Sequence, residues 1–162
     1  MTKEEFKFLF DSCFDAVRSY LFYRGADKEQ ASDLAQDVFL RVWEKQLDVV
    51  PKTALRLLYK MAGDMFVSRY RRETLEMNYM KSLKNDTDDY SPEDQLRYNE
   101  LKEKYTRALA TLGEKQRTVF LMARMEGMKY HEIAERLNLS VKAVEKRMSI
   151  ALDYLKKVLQ SK

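Results

Sequence analysis

Apolar residues recur at intervals of three and four along most of this chain, the period of helices that bury one face. Phe6, Leu9, Phe10, Cys13, Phe14, Val17 and Leu21 form the first such stripe. Thr2 and Glu5 precede it as T-x-x-E, a pairing in which each side chain satisfies the other's free backbone N–H. The first helix is therefore predicted to start at Thr2 and to close at Gly25. Asp27 and Gln30 predict a second capping box, ahead of a stripe of Ala31, Leu34, Ala35, Val38 and Val42. A loop around Leu47–Thr53, marked by Pro51, leads to a third helix from about Ala54 to Arg72.

Clear periodicity is lost from Glu73 to Tyr90, where Asn85, Asp86, Asp88 and Asp89 gather. Helical signals resume at Ser91-Pro92: serine caps, proline suits the first turn, and Asp94 favours a helix N-terminus. That helix is predicted to run to about Leu112, where Gly113 breaks it, and the next from Glu114 to Glu126, with Gly127 at its end. Two more follow between Tyr130 and Leu159: a short one burying Ile133, Ala134 and Leu137, and a longer one burying Val144, Met148, Ala151, Leu152 and Leu155. The expected fold is all-α, with two small helical domains over 1–72 and 92–162, a flexible acidic linker over 73–91, and a helix-turn-helix in the second domain.

Composition agrees with long helices. Only 4 Gly and 2 Pro occur among 162 residues, against 35% charged and 45% apolar residues. Net charge is +4, but its distribution is uneven. Residues 1–72 carry 13 Lys+Arg against 11 Asp+Glu, residues 73–99 carry 3 against 7, and residues 100–162 carry 14 against 8. Two basic blocks thus flank an acidic middle, the footprint expected of nucleic-acid contact. The single cysteine, Cys13, permits no internal disulfide, which fits a reducing cytoplasmic setting. It reads as a small core residue rather than a reactive thiol. The N-terminus, MTKEEFKFLF, has neither signal-peptide nor membrane-span character. His131, the only histidine, lacks metal-ligating companions and reads as an exposed surface residue. No nucleophile–base pair, metal cluster or phosphate loop is evident, so the reading is a non-enzyme with no catalytic residue, cofactor, metal or small-molecule substrate.

The segment YHEIAERLNLSVKAVEKRMSIALDYLKKVL carries the most specific chemistry. Ala134 lets two helices cross closely, and Asn138 sits where a turn demands positive φ. Leu139 plugs the corner, and Ser140 caps the second helix. That helix turns Lys142, Ala143, Glu145, Lys146 and Arg147 away from its core in its first two turns. In a helix-turn-helix this part enters the major groove, where Lys and Arg reach phosphates or guanine and Glu accepts from cytosine. The competing reading is a solvated charged face on an ordinary helical hairpin.

LGEKQRTVFLMARMEGMKYHEIAERLNLSVKAVEKRMSIALDYLKK resembles the fourth domain of extracytoplasmic-function (ECF) sigma factors, with Gly113 in place of the usual proline before E-x-x-R. QASDLAQDVFLRVWEK resembles the second-domain helix that docks on the clamp of RNA polymerase; Asp33, Leu34, Gln36, Asp37, Val38, Phe39 and Trp43 fit its pattern. LYKMAGDMFVSRYRRE resembles the next helix, which in the family contacts the melted minus-10 element, but Asp64 replaces the usual Asn and Ser68 the usual Asp. The chain is identified as a member of this family, in the group common in Bacteroidetes-like bacteria.

The resemblance implies a sigma factor that binds core RNA polymerase and promoter DNA. It places polymerase contact on Asp33, Gln36, Asp37 and Leu40, and minus-10 contact on Lys60, Arg69, Arg71 and Arg72, with the loop near Leu47–Thr53 and the helix Ala54–Arg72 together capturing the opened strand and a base flipped into a pocket. Minus-35 contact falls on Ser140, Lys142, Ala143, Glu145, Lys146 and Arg147. Tyr59, Phe66 and Tyr70 are expected as stacking platforms for the melted strand, with a core role as the alternative for Phe66. Asp86, Asp88 and Asp89 either imitate nucleic-acid charge inside the polymerase or form a simple tether. The family is commonly restrained by an anti-sigma factor, often membrane-anchored. The alternatives from the residues alone are a polymerase-independent helix-turn-helix regulator, a helical nuclease and an interaction adaptor.

Overall fold

The computed structural model describes residues 1–50, 52–69 and 92–160. Every regular element among them is a helix: α1 (Lys3–Arg24), α2 (Lys28–Glu44), α3 (Ala54–Arg69), α4 (Pro92–Thr111), α5 (Glu114–Met125), α6 (Tyr130–Leu137) and α7 (Val141–Gln160). The acidic linker over 73–91, Tyr70, Arg71, Arg72 and the cap at Ser91 lie outside the described residues.

The helix starts follow from local hydrogen bonding. Thr2 Oγ1 accepts from Glu5 N–H at 3.1 Å, and Glu5 Oε2 accepts from Thr2 N–H at 3.0 Å. Asp27 and Gln30 make the same reciprocal pair at 2.8 and 3.0 Å. Each such cap is worth about 1 kcal/mol. At the end of α1, Gly25 has φ 122°, a conformation that side chains resist, and its N–H returns to Phe22 O at 3.0 Å. Ala26 N–H reaches Leu21 O at 3.1 Å, and the chain reverses into α2.

Helices α1, α2 and α3 pack mutually, as do α4, α5 and α6 around α7. In the first group Val17, Leu21, Leu34, Val38, Val42 and Leu58 are fully buried. Phe6, Phe10 and Phe14 of α1 meet Phe39 of α2 with ring centroids 5.1–6.4 Å apart. In the second group α7 buries Val144, Met148, Ala151 and Leu155. Leu152, predicted to be buried, is 47% exposed. It lies beside the 144–148–151–155 stripe, outside the arc that α4, α5 and α6 cover. Burying a Val, Leu or Phe contributes about 1.5–3 kcal/mol, so these stripes outweigh intrinsic helix propensity in holding the elements.

The two groups also touch, through α1 with α5 and α3 with α6, and their buried residues form one connected cluster. Arg117 of α5, only 2% exposed, is central to this seam. Its Nε donates to Tyr23 O at 2.9 Å and its Nη2 to Arg24 O at 2.7 Å. These carbonyls sit at the end of α1, where the helix leaves acceptors unpaired and its dipole favours a cation. Arg24 in turn pairs with Glu114, and Tyr23 Oη donates to Glu126 at 2.7 Å. The Arg24 guanidinium lies 5.3 Å from the Phe66 ring centroid and 5.8 Å from that of Tyr20. It occupies space that a Cβ on Gly63 would claim.

Candidate nucleic-acid interface

The turn between α6 and α7 is built by two polar residues. Asn138 ends α6 in the left-handed region, at φ 56° and ψ 49°. Leu139 N–H then reaches Ala134 O at 2.8 Å. Ile133 and Ala134 are buried, while Leu137 and Leu139 are half-buried at the corner. Ser140 Oγ accepts from Ala143 N–H at 3.1 Å, which caps α7. Ser140, Lys142, Glu145 and Lys146 are exposed around this start. Ala143 and Arg147 are half-buried, and Arg147 turns toward the seam, lining a small cavity with Tyr20, Arg24 and Glu114. Sequence spacing placed Arg147 on the outer face because a single helix gives no sign of a second group packed beside it.

On α2, Asp33, Gln36 and Leu40 are exposed along one side, with Leu40 52% exposed. Asp37 is half-buried and pairs with Arg69 of α3. Two residues assigned to different surfaces, polymerase and minus-10 DNA, therefore meet each other. Lys60 is exposed on α3, as are the two pattern-breaking residues Asp64 and Ser68. Tyr59 and Phe66 are buried at 4% and 2% exposure, so both are core residues rather than platforms for bases. Tyr59 stacks on Tyr20 with centroids 4.3 Å apart, and its hydroxyl donates to Ala16 O at 3.2 Å. Beside the loop after α2, Phe8, Leu9, Cys13, Leu47 and Val49 line a groove of about 620 Å³ with Glu4, Glu5 and Asp48 among its polar residues.

Burial sets the titration of the groups near the seam. It raises the Cys13 thiol pKa, with nearby Arg136 opposing. Burial also raises Tyr23, reinforced by the hydrogen bond to Glu126, and pushes Tyr59 up to about 12 against the pull of Arg136. For Arg24, burial works against the charge, but Tyr20 and Glu114 more than offset it, and the pKa is raised. Sequence reading missed Arg24, Glu114 and Arg117 as a connected group. The E-x-x-R spacing was visible, but its partner, the end of α1, lies 90 or more residues away.

The sigma-70 region 4 family model matches residues 102–155, from within α4 through most of α7. The chain is similar to the ferric citrate uptake sigma factor FecI of Escherichia coli (strain K12), 28% identical over 140 residues, covering 85% of this chain and 81% of that protein. It is 29% identical over 154 residues to the RNA polymerase sigma factor YlaC of Bacillus subtilis (strain 168), covering 92% and 88%. The ECF RNA polymerase sigma factor SigX of the same organism is 24% identical, covering 98% of this chain and 85% of its own. In fold, the chain is similar to the sigma factor RpoE solved in complex with the anti-sigma factor NepR from Bartonella quintana. The TM-score is 0.63 at 20% identity, covering 97% of this chain and 98% of that one.

A region 4 module, joined to similarity that runs most of the length of several sigma factors, defines the class: transcription-initiation proteins rather than enzymes. The chain is an RNA polymerase sigma factor of the ECF type. The named relatives do not bear on its narrower Bacteroidetes-like grouping. Among the described residues no helix is long and apolar enough to cross a membrane.

Proposed function

We propose that this sigma factor divides promoter recognition between two domains, residues 1–72 and 92–162, joined by the acidic segment 73–91. The observation that carries this reading is the α6–turn–α7 unit, a helix-turn-helix in which Ser140 caps a helix bearing Lys142, Glu145 and Lys146 at its exposed start. That end enters the major groove of the minus-35 element, with Ala143 against a base or sugar and Arg147 at the margin. Asp33, Gln36, Asp37 and Leu40 on α2 meet a basic helical surface of core polymerase. Lys60 and Arg69, with Arg71 and Arg72 beyond the described residues, neutralise phosphates of the melted minus-10 strand. The groove beside the loop after α2 is large enough to receive an extruded base. An anti-sigma factor covers the α2 surface; the complex of the similarly folded sigma factor RpoE with the anti-sigma factor NepR supports a partner of this kind. The protein works in the cytoplasm, where polymerase and promoters are.

Run-off transcription tests the assignment. Purified protein with core polymerase is expected to start transcription at discrete sites in a genomic promoter library, and Asp33→Lys combined with Leu40→Asp to lower core affinity at least tenfold. Lys142→Gln and Lys146→Gln should each weaken duplex binding, and removing one phosphate-binding lysine should lower the salt slope by about one unit. Specific duplex binding with no binding to core and no initiation would overturn the reading in favour of a polymerase-independent regulator.

A further inference from the structure

Between the two helical groups lies a second cleft, of about 630 Å³, of whose basic residues the promoter reading uses only Lys60. Arg56 and Lys60 of α3 line it from one side, and Arg136 of α6 from the other. None of the three forms an ion pair with a carboxylate among the described residues. Glu132 and Glu135 line a smaller neighbouring cavity of about 170 Å³ with Arg56 and Arg136, and temper the local charge without pairing.

Both arginines are held in place by neutral partners. Arg56 donates through Nη2 to Asn138 Oδ1. Arg136 donates through Nη1 to Tyr59 Oη at 3.5 Å and to Met128 Sδ at 3.3 Å, and lies 5.6 Å from the Tyr59 ring centroid. A guanidinium has five N–H donors, so each arginine is oriented through one terminal nitrogen and keeps other donors for a further acceptor. Two planar forks and one point charge facing across a seam suit oxygens that carry more than one negative charge. Phosphate meets that need with bidentate geometry. The cleft volume falls within the roughly 300–1,000 Å³ of small-molecule sites.

We propose that this cleft binds a small molecule bearing adjacent phosphates, of the nucleoside di- or triphosphate kind, which bridges α3 and α6. The ligand neutralises like charges from opposite sides of the seam. Because α3 and α6 belong to different helical groups, its occupancy favours their packing and stabilises the protein by mass action. Regulation by a phosphorylated metabolite would then act on the same Lys60 that the promoter reading gives to the minus-10 strand.

Titration calorimetry and thermal melting of the full chain with sodium tripolyphosphate test this at low salt, and a short single-stranded oligonucleotide gives the competing source of phosphate. Tripolyphosphate is expected to bind and to raise the melting temperature. Lys60→Gln with Arg136→Gln should weaken binding at least tenfold, whereas the charge-matched Lys156→Gln with Lys157→Gln on α7 should not. The single exposed change Lys60→Gln, which leaves the seam intact, should weaken it several-fold. The proposal is overturned if tripolyphosphate does not bind, if both double variants bind it equally, or if the oligonucleotide binds the cleft more tightly per charge. Promoter-directed transcription is measured separately, so its failure would be distinguishable from failure here.

Discussion

Arg117 shows how one side chain can join two halves of a chain. Its guanidinium replaces water at two carbonyls that α1 cannot satisfy itself. Arg117→Ala removes two charge-assisted bonds and leaves buried acceptors, so a loss of about 2–3 kcal/mol is expected in urea denaturation. Retained stability would show that water replaces the side chain at little cost. The seam tyrosines give a pH signature. Tyr20, Tyr23 and Tyr59 are all raised above their ordinary value of 10. A raised folded pKa means the folded state holds its protons longer than the unfolded state. Their contribution is therefore fully present below pH 10 and is lost as pH rises from there through about 12, the value for Tyr59. Tyrosinate absorbance should lag in the native protein over that range, and melting temperature should fall. At this scale the sequence was informative only for local chemistry: the Thr2–Glu5 box and the burial of Cys13 were legible, but the burial of Tyr23 and Arg117 was not. Helical periodicity reports a face, not which distant backbone will cover it.

Among the elements, the α6–turn–α7 unit was the most legible, because its rules are local. A small Ala134, a left-handed Asn138 and a capping Ser140 are each demanded by geometry within a few bonds. Asn138→Gly should be tolerated within a few tenths of a kcal/mol, apart from losing the hydrogen bond to Arg56. Asn138→Ala should cost about 1–2 kcal/mol, since Cβ crowds the left-handed conformation. Comparing the two by thermal denaturation separates backbone strain from the side-chain bond; an equal loss would mean that the bond dominates. Helix α3 was read less well. Tyr59 and Phe66 carry the aromatic character expected of a strand-binding surface, yet both are buried. Aromatics interleaved with basic residues look the same in sequence whether the rings stack on bases or on Tyr20 and Arg24.

At the scale of the whole molecule, packing of the two groups conflicts with their proposed task. Promoter elements centred near minus-10 and minus-35 lie about 25 base pairs apart, or about 85 Å at roughly 3.4 Å per pair. A compact chain of this length has a radius of gyration of only about 15 Å. The groups must part before both elements are engaged. A short thiol cross-link between Arg56→Cys and Asn138→Cys, in a Cys13→Ser background, should abolish promoter-directed transcription while reduction restores it. Full activity in the linked protein would exclude the need for parting. The loss of periodicity over 73–90 is why two domains are expected from the sequence, which holds no sign of contact between them. The contacts that join them combine a continuous buried cluster with polar pairs distributed over α1, α3, α5 and α6, and the polar pairs form no periodic pattern.

Gly63 touches neither of the proposed nucleic-acid surfaces, yet its missing side chain is what admits Arg24 beside Phe66. An alanine there would favour α3 by up to about 1 kcal/mol, since glycine is a poor helix former. The same methyl group would compete with the Arg24 guanidinium, which pairs with Glu114 of the second group. A substitution at position 63 would thus reach the Arg24–Glu114 pair across the seam without altering an atom that meets the promoter.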